Sequence, residues 1–265
     1  MRANWSRLIN GDAKTVNSYM DIHSHILPEI DDGSSSWEET MDMLEVAYKE
    51  GIHIIIATPH YGLFNSDFDL SKARKLVDEA NHRLEEQSIK IKIFLGNEIY
   101  YVPGIVKDVV AGRVATMAGS SYVLIEFSED VKYKTVEAAV REFTREGYRP
   151  IIAHIERYRG IRDKQLEKIS ELRQMGAYIQ VNTSNFLKTE RNGFLRKDNR
   201  KMFVESMLEK DMIDFVASDA HDACSRVPVM KSAVDIIGNM VSDEQLNRLF
   251  YYNMLALARN EYIER

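Results

Sequence analysis

Asp21-Ile22-His23-Ser24-His25-Ile26-Leu27-Pro28-Glu29-Ile30-Asp31-Asp32-Gly33 is the stretch on which the reading of this chain turns. Its two histidines stand one residue apart after the apolar approach Tyr19-Met20, and in a strand the period of two points both to the same side. Side by side, two imidazoles can share one metal ion. Pro28 stops any regular continuation, and Asp31-Asp32-Gly33 makes a turn able to swing a carboxylate back beside the histidines. Taken alone, the same residues also suit a half-exposed strand with ordinary Asp-Gly turn chemistry. The rest of the chain decides between the two.

Downstream, Ser36 and Glu39 form a capping box that opens a helix carrying Met41, Leu44, Ala47 and Tyr48 on one face until Gly51. The apolar, β-branched run 52–57 then has the look of a strand buried on both faces of a parallel sheet. Helical stripes recur over 69–88, 136–147, 166–175 and 202–210, and strand-like runs over 89–95, 121–125, 150–153, 177–181 and 213–217. A second capping box, Ser242 with Gln245, opens the last helix, with Leu246, Leu249 and Phe250 inward. Seven strands alternating with helices, without a repeat or a Gly/Pro/Ser-rich linker, predict one parallel α/β domain.

The placement of polar residues selects a barrel over an open sheet, because α/β barrels collect reactive groups at the carboxyl ends of their strands. Six of the seven runs end in a metal-ligand residue type: His23/His25, His60, Glu98, Glu126, His154 and Asp219/His221. Five of the seven histidines lie at these ends; His53, at a strand start, and His82, inside a helix, are assigned structural roles. Asp219-x-His221 repeats the one-face geometry of His23-x-His25. Such a set exceeds what one ion can use and suits two or three borderline or hard divalent ions bridged by a carboxylate: manganese, iron, zinc or magnesium. Without cysteine ligands, a structural zinc site is disfavoured. Arg157 and Arg226 stand beside the ligands, and their planar donor forks match phosphate or carboxylate, so the substrate is expected to be an anion. A salt bridge from Arg157 to Glu156 or another rim acid is the competing account of that residue.

Composition narrows the classes further. With 45% hydrophobic and 29% charged residues the chain reads as an ordinary globular protein, and a net charge of −6 gives no basic footprint for nucleic acid. The single cysteine, Cys224, excludes intrachain disulfides, and position 230 is Met where the Cys-x5-Arg of a cysteine phosphatase needs arginine. No apolar run approaches the ~20 residues of a membrane span, and residues 1–18 lack the apolar core of a signal peptide. A cytoplasmic protein without membrane insertion is therefore expected, with 1–18 a peripheral extension and 19–265 the domain. Nothing in the sequence fixes an oligomeric state.

Together the motifs Asp21-Ile-His-Ser-His-Ile-Leu-Pro-x-Ile-Asp-Asp-Gly33, Ala57-Thr-Pro-His60, Gly96-Asn-Glu98, Leu124-Ile-Glu126-Phe, Ala153-His-x-Glu-Arg-Tyr158 and Ser218-Asp-Ala-His221 resemble the signatures of the PHP superfamily. Within it they are similar to the bacterial protein-tyrosine phosphatases of capsular and exopolysaccharide gene clusters, over roughly residues 19–258. The resemblance implies a distorted seven-stranded α/β barrel of the TIM-like kind with a three-metal site, usually of manganese. It places His23, His25, Glu98 and Asp219 around one ion, Glu98, Glu126 and His154 around a second, and Asp32, His60 and His221 around a third. Asp32 stands where many PHP phosphoesterases carry histidine. Arg157 and Arg226 match the arginines that hold the substrate phosphate.

The implied activity is metal-assisted phosphomonoester hydrolysis, sensitive to chelators and indifferent to thiol reagents. Its implied partner is a phosphotyrosine protein, the tail of a bacterial tyrosine kinase that controls polysaccharide export. A phosphatase of the histidinol-phosphate type and a non-catalytic, metal-stabilised binding subunit are the rival readings. An acidic chain without a basic stripe argues against a nuclease.

Overall fold

The computed structural model describes residues 18–63, 65–162, 166–187 and 199–265. The expected extension lies outside the described residues except for Ser18. All strand pairs are parallel. Strands β1 (Tyr19–Ser24), β2 (Ile52–Ala57) and β4 (Lys92–Leu95) form one sheet in that order. The second runs β3 (His60–Tyr61), β5 (Glu98–Tyr100), β6 (Tyr122–Glu126), β7 (Arg149–Ile152), β8 (Tyr178–Asn182) and β9 (Phe215–Ala217).

The seven expected runs are all strands, and two of them, β2 and β4, are each followed after a break by a further short strand, β3 and β5. Thr58-Pro59 separates β2 from β3, since proline has no N–H for the ladder, and Gly96-Asn97 separates β4 from β5. Gly96 sits so tightly that a Cβ there would lie 2.9 Å from Met117 Sδ and 3.0 Å from Ile56 Cγ2. Beyond the two breaks the strands pair again with His60 opposite Glu98, which brings an imidazole and a carboxylate together at the same level.

The expected parallel α/β architecture of the TIM-like kind is observed, distorted in that no continuous ladder closes the ring among the described strands. β9 and β1 meet only at a Ser24–Ala220 bridge, with His25 N donating to Ala220 O at 2.8 Å and Asp219 N to His23 O at 2.9 Å. The reason is local: the chain turns through a left-handed residue at Asp219, φ 54°, so its extended course ends before it can pair with β1 along its length.

Helices fill the connections: α1 (Trp37–Lys49), α2 (Leu70–Glu86), α3 (Val106–Val110), α4 (Tyr133–Arg145), α5 (Arg159–Arg162), α6 (Glu167–Gln174), α7 (Asn199–Glu209), α8 (Lys231–Gly238), α9 (Asp243–Asn247) and α10 (Asn253–Arg259). Short α3 has no stripe long enough to read from sequence. Ser36 caps α1 by accepting from Glu39 N at 3.2 Å, but the Glu39 carboxylate reaches Ser35 N at 2.7 Å, one residue earlier than the usual box. Ser242 caps α9 in the same way, while Gln245 spends its side chain on Leu208 O at 2.7 Å and ties α9 to α7. On α4 the buried Val136, Ala139, Val140 and Phe143 follow helical spacing.

Strands β1, β6, β8 and β9 are buried on both faces, β2 and β7 are so but for one residue each, and β3 and β4 are largely half-buried. Outward residues such as Ile55, Val123, Ile152, Ile179 and Val216 pack with the helices, and inward ones from both sheets form a second cluster with Met254 and Leu257 of α10. Along the inward face each column is apolar and then turns polar at its carboxyl end: Tyr122-Leu124-Glu126, Tyr178-Gln180-Asn182, Phe215-Ala217-Asp219. That change of character in the same columns sets the floor and the mouth of the site.

Candidate metal centre

All nine sequence-predicted ligands meet at this mouth. His23 is the last residue but one of β1 and His25 follows the strand, Asp32 returns on the next turn, His60 opens β3, Glu98 opens β5, Glu126 closes β6, His154 follows β7, and Asp219 and His221 follow β9. Donor atoms lie within 4.8 Å of one another in three groups: His23, His25, Glu98 and Asp219; His25, Asp32, His60 and His221; His60, Glu98 and Glu126. The first is the set the resemblance implied. The others differ from it. His154 Nε2 is 2.8 Å from Glu98 Oε1 but 4.0 Å from Glu126 Oε2, whereas His60 Nδ1 is 2.9 Å from Glu126 Oε1. His60 therefore takes the third place in that group, and His25 joins the group around Asp32.

Four imidazoles have one nitrogen occupied outside the cage. His25 Nδ1 donates to Asp31 Oδ2 at 2.7 Å, His23 Nδ1 lies 3.3 Å from Gln180 Oε1, His154 Nδ1 3.3 Å from Tyr158 Oη and His221 Nδ1 3.0 Å from Asp219 O. The second nitrogen of each is left for the interior. Glu98 stands at the centre, with Oε2 3.2 Å from both His23 Nε2 and His25 Nε2 and 3.3 Å from His60 Nδ1. The donor set fits divalent ions: imidazole and carboxylate suit borderline and hard cations, and buried carboxylates need compensating positive charge.

Electrostatics show the same demand. Burial opposes charge on His60, yet hydrogen bonds to Asp32 and Glu126 push it up to about 11. His25, buried but facing Asp31, rises to about 9. His154 falls to about 4 through burial and the nearby Arg157, and His221 to about 3 through burial and His25. Burial would raise Glu98, but His23 and His154 hold its carboxylate well below the usual range. Two site residues, His154 (φ 30°) and Asp219 (φ 54°), adopt left-handed backbone, which costs roughly 1–3 kcal/mol each in a non-glycine residue.

Above the cage a cleft of about 760 Å³ is lined by Ile30, Asp32, His221, Arg157 and Arg226 among others. Both arginines bond Asp219 Oδ2, Arg226 at 2.9 Å and Arg157 closer. The Glu156 partner weighed for Arg157 is not used, because Glu156 turns inward to Asn185 Nδ2 at 2.7 Å. Cys224 is exposed, His53 bonds Gly51 O, and His82 is exposed beside Glu86. Sequence reasoning missed the supports: Asp31, Gln180, Asn182, Tyr158 and the buried Asp21, which accepts from Ser218 N at 3.0 Å. Gln180-x-Asn182 carried a signal, being the same one-face spacing as the two His pairs.

A family model described as "Capsular polysaccharide synthesis, CpsB/CapC" matches residues 19–259. The chain belongs to the CpsB/CapC family. Among CpsB/CapC relatives, the tyrosine-protein phosphatase CpsB of Streptococcus agalactiae serotype V is 32% identical over 249 residues, 92% of this chain and 100% of that protein. A solved structure from work on YwqE of Bacillus subtilis and CpsB of Streptococcus pneumoniae, described as unique metal-dependent tyrosine phosphatases, superposes with a TM-score of 0.82 at 29% identity. It covers 93% of this chain and 96% of that one. The histidinol phosphate phosphatase of Lactococcus lactis shares the fold more distantly, with a TM-score of 0.55 at 13% identity over 88% of this chain and 99% of that one.

Proposed function

We propose that this chain is a metal-dependent protein-tyrosine phosphatase whose cation cage is built from His23, His25, Asp32, His60, Glu98, Glu126, His154, Asp219 and His221. The observation that carries the reading is the meeting of three donor groups on one cleft beside two arginines, in a family whose relatives are named tyrosine-protein phosphatases. Divalent ions, manganese foremost, would number two or three; when bound they polarise phosphoryl oxygens and activate the attacking water.

The chain's own residues do the rest. Arg157 and Arg226 present planar donors to the non-bridging oxygens of a phosphate. Asp219 Oδ2, which both arginines hold, keeps the forks parked at the mouth until an anion arrives. Asp32, exposed, and His221, buried, with Asp32 Oδ1 3.6 Å from His221 Nε2, both line the cleft, where they would relay a proton. A phenolate with pKa roughly 10 leaves with less help from a general acid than an alkoxide does. Cys224 takes no part.

The substrate is a phosphotyrosine protein, and the kinase tail of a capsule-export system is the partner proposed. A reducing cytoplasm is the compartment, consistent with a lone unpaired cysteine and with no helix among the described residues long and apolar enough to cross a membrane. Metal content measured beside turnover on a phosphotyrosyl peptide and on histidinol phosphate tests the proposal, for the parent and for His154→Ala. Peptide turnover abolished by chelator and restored by manganese is the expected result. Preference for histidinol phosphate would overturn the substrate, and activity in fully demetallated protein would overturn the mechanism.

A further inference from the structure

β8 is the one strand run that ends without a metal-ligand residue, and its inward side chains are nonetheless buried against the cage: Gln180 is fully buried and Asn182 nearly so. We infer that the Gln180–Asn182 amide pair is the positioning device of this centre, fixing the ring of His23, the left-handed backbone of His154 and the carboxylate of Asp219 from a single strand. This rests on the metal-centre reading above and adds residues to it.

The hydrogen bonds leave one arrangement. His154 N donates to the Gln180 side chain at 2.7 Å, and a backbone N–H requires an acceptor, so the atom it meets is the carbonyl oxygen of the amide. That same oxygen lies 3.3 Å from His23 Nδ1. An oxygen already committed as acceptor can only accept again, so Nδ1 of His23 carries a ring proton and Nε2 is the nitrogen left to face the cage. Nε2 is the atom that lies 3.2 Å from Glu98 Oε2 and 3.4 Å from Asp219 Oδ1. With the oxygen assigned, Gln180 Nε2 is the donor, and it bonds Asn182 Oδ1 at 2.8 Å. Asn182 must therefore present its own amide nitrogen onward, and it donates to Asp219 Oδ2 at 2.7 Å.

Asp219 is thereby split into two oxygens with different work. Oδ2 receives Asn182, Arg157 and Arg226, and Oδ1 is turned to the imidazoles of His23, His25 and His221. The arginines would leave Asp219 for an incoming anion, whereas Asn182 is a neutral donor with no such alternative and keeps the carboxylate aimed. The backbone of His154 needs an equal restraint, because a non-glycine residue at φ 30° relaxes unless its surroundings hold it. Gln180 supplies that hold.

The test compares Gln180→Leu, Gln180→Glu and Asn182→Ala with the parent, reading the dissociation constant for Mn2+ by competition with a chelating dye, without substrate. Outer partners of metal ligands typically carry about 10–100-fold in affinity. Gln180→Leu is expected to weaken Mn2+ binding by that factor. Gln180→Glu, which keeps the acceptor for His154 N and His23 Nδ1 but loses the donor that orients Asn182, is expected to fall no further than Asn182→Ala, about tenfold. Asn182→Ala should weaken binding about tenfold and leave metal-free unfolding within a few degrees of the parent. Variants that match the parent's affinity would overturn the inference, as would Gln180→Glu failing as badly as Gln180→Leu. Should Gln180→Leu not fold, Asn182→Ala decides: parent-like affinity overturns. A parent that binds no Mn2+ at all would instead remove the metal-centre reading itself.

Discussion

Glu98 is the residue on which the centre hangs, since its two oxygens face four imidazoles: those of His23, His25, His60 and His154. Glu98→Gln keeps the shape and removes the charge, placing an amide N–H₂ where a carboxylate oxygen faced the imidazoles. Metal content should fall with it, and turnover of a phosphotyrosyl peptide should drop at least ~10²-fold, as losses of metal-site groups do. Elemental analysis run beside the assay checks both; a fully loaded, fully active Glu98→Gln protein contradicts the assignment. Arg226, 40% exposed and fork-shaped, is proposed to act on the substrate instead. Arg226→Lys retains a charge but loses the paired donors, so KM should rise roughly tenfold with a smaller change in kcat. A fall in kcat alone would argue that the arginine touches the transition state only.

At the scale of the element, the turn after β1 is held by contact as well as by hydrogen bonds. Gly33 lies so close to the preceding strand end that a Cβ would stand 2.1 Å from His25 O and 2.6 Å from His25 Cβ. Both are parts of a ligand residue that cannot swing aside cheaply. Gly33→Ala must therefore push the 31–33 turn outward, and with it Asp31, which bonds His25 Nδ1 and His60 N. Expected are a loss of about 2–3 kcal/mol of stability, the range of severe single substitutions, and weakened metal binding in the same protein. Ser36→Ala, which removes only the α1 cap, should cost about 1 kcal/mol and leave metal affinity unchanged in the same titration. Both caps were legible in the sequence because a cap and its N–H are three residues apart. The rows of strand-end ligands were legible too, through the period of two. What stayed hidden was contact across the sheet: Asn182 and Asp219 are 37 residues apart, and His23 and Gln180 157 apart, so no local pattern announces them. Asp31 was hidden for another reason. Adjacent to Asp32 in one Asp-Asp-Gly turn, it offered the same chemistry, and only the fold shows that Asp31 turns in to His25 while Asp32, 66% exposed, sits at the rim with Oδ1 3.3 Å from His60 Nε2.

Over the whole molecule, the site exists only when ends from across the fold are assembled, so metal affinity and stability are linked. An ion that binds the folded chain alone adds about 2.7 kcal/mol at a hundred times its dissociation constant, which is a rise of roughly 5–10 °C in Tm for a protein of this size. The pH dependence of the metal-free protein follows from the same imidazoles, and its sign differs between them. His25 and His60 are raised from 6.5 to about 9 and about 11, so the stability they confer is complete below pH 6.5 and is lost as pH climbs through their folded values. His154 and His221 are lowered to about 4 and about 3; neutral when folded, they disfavour the folded state as pH falls below 6.5, where the unfolded chain takes up their protons first. The two pairs oppose each other on either side of one value. Chelated protein should accordingly show its highest Tm near pH 6.5 and decline in both directions, whereas protein with excess Mn2+ should gain on its alkaline side, because each ligand proton displaced there favours the bound ion. Thermal unfolding followed by circular dichroism from pH 5 to 9, with and without Mn2+, distinguishes these curves. Two parallel curves, or a metal-free Tm indifferent to pH, would mean that these four histidines at the mouth do not titrate as one buried cage.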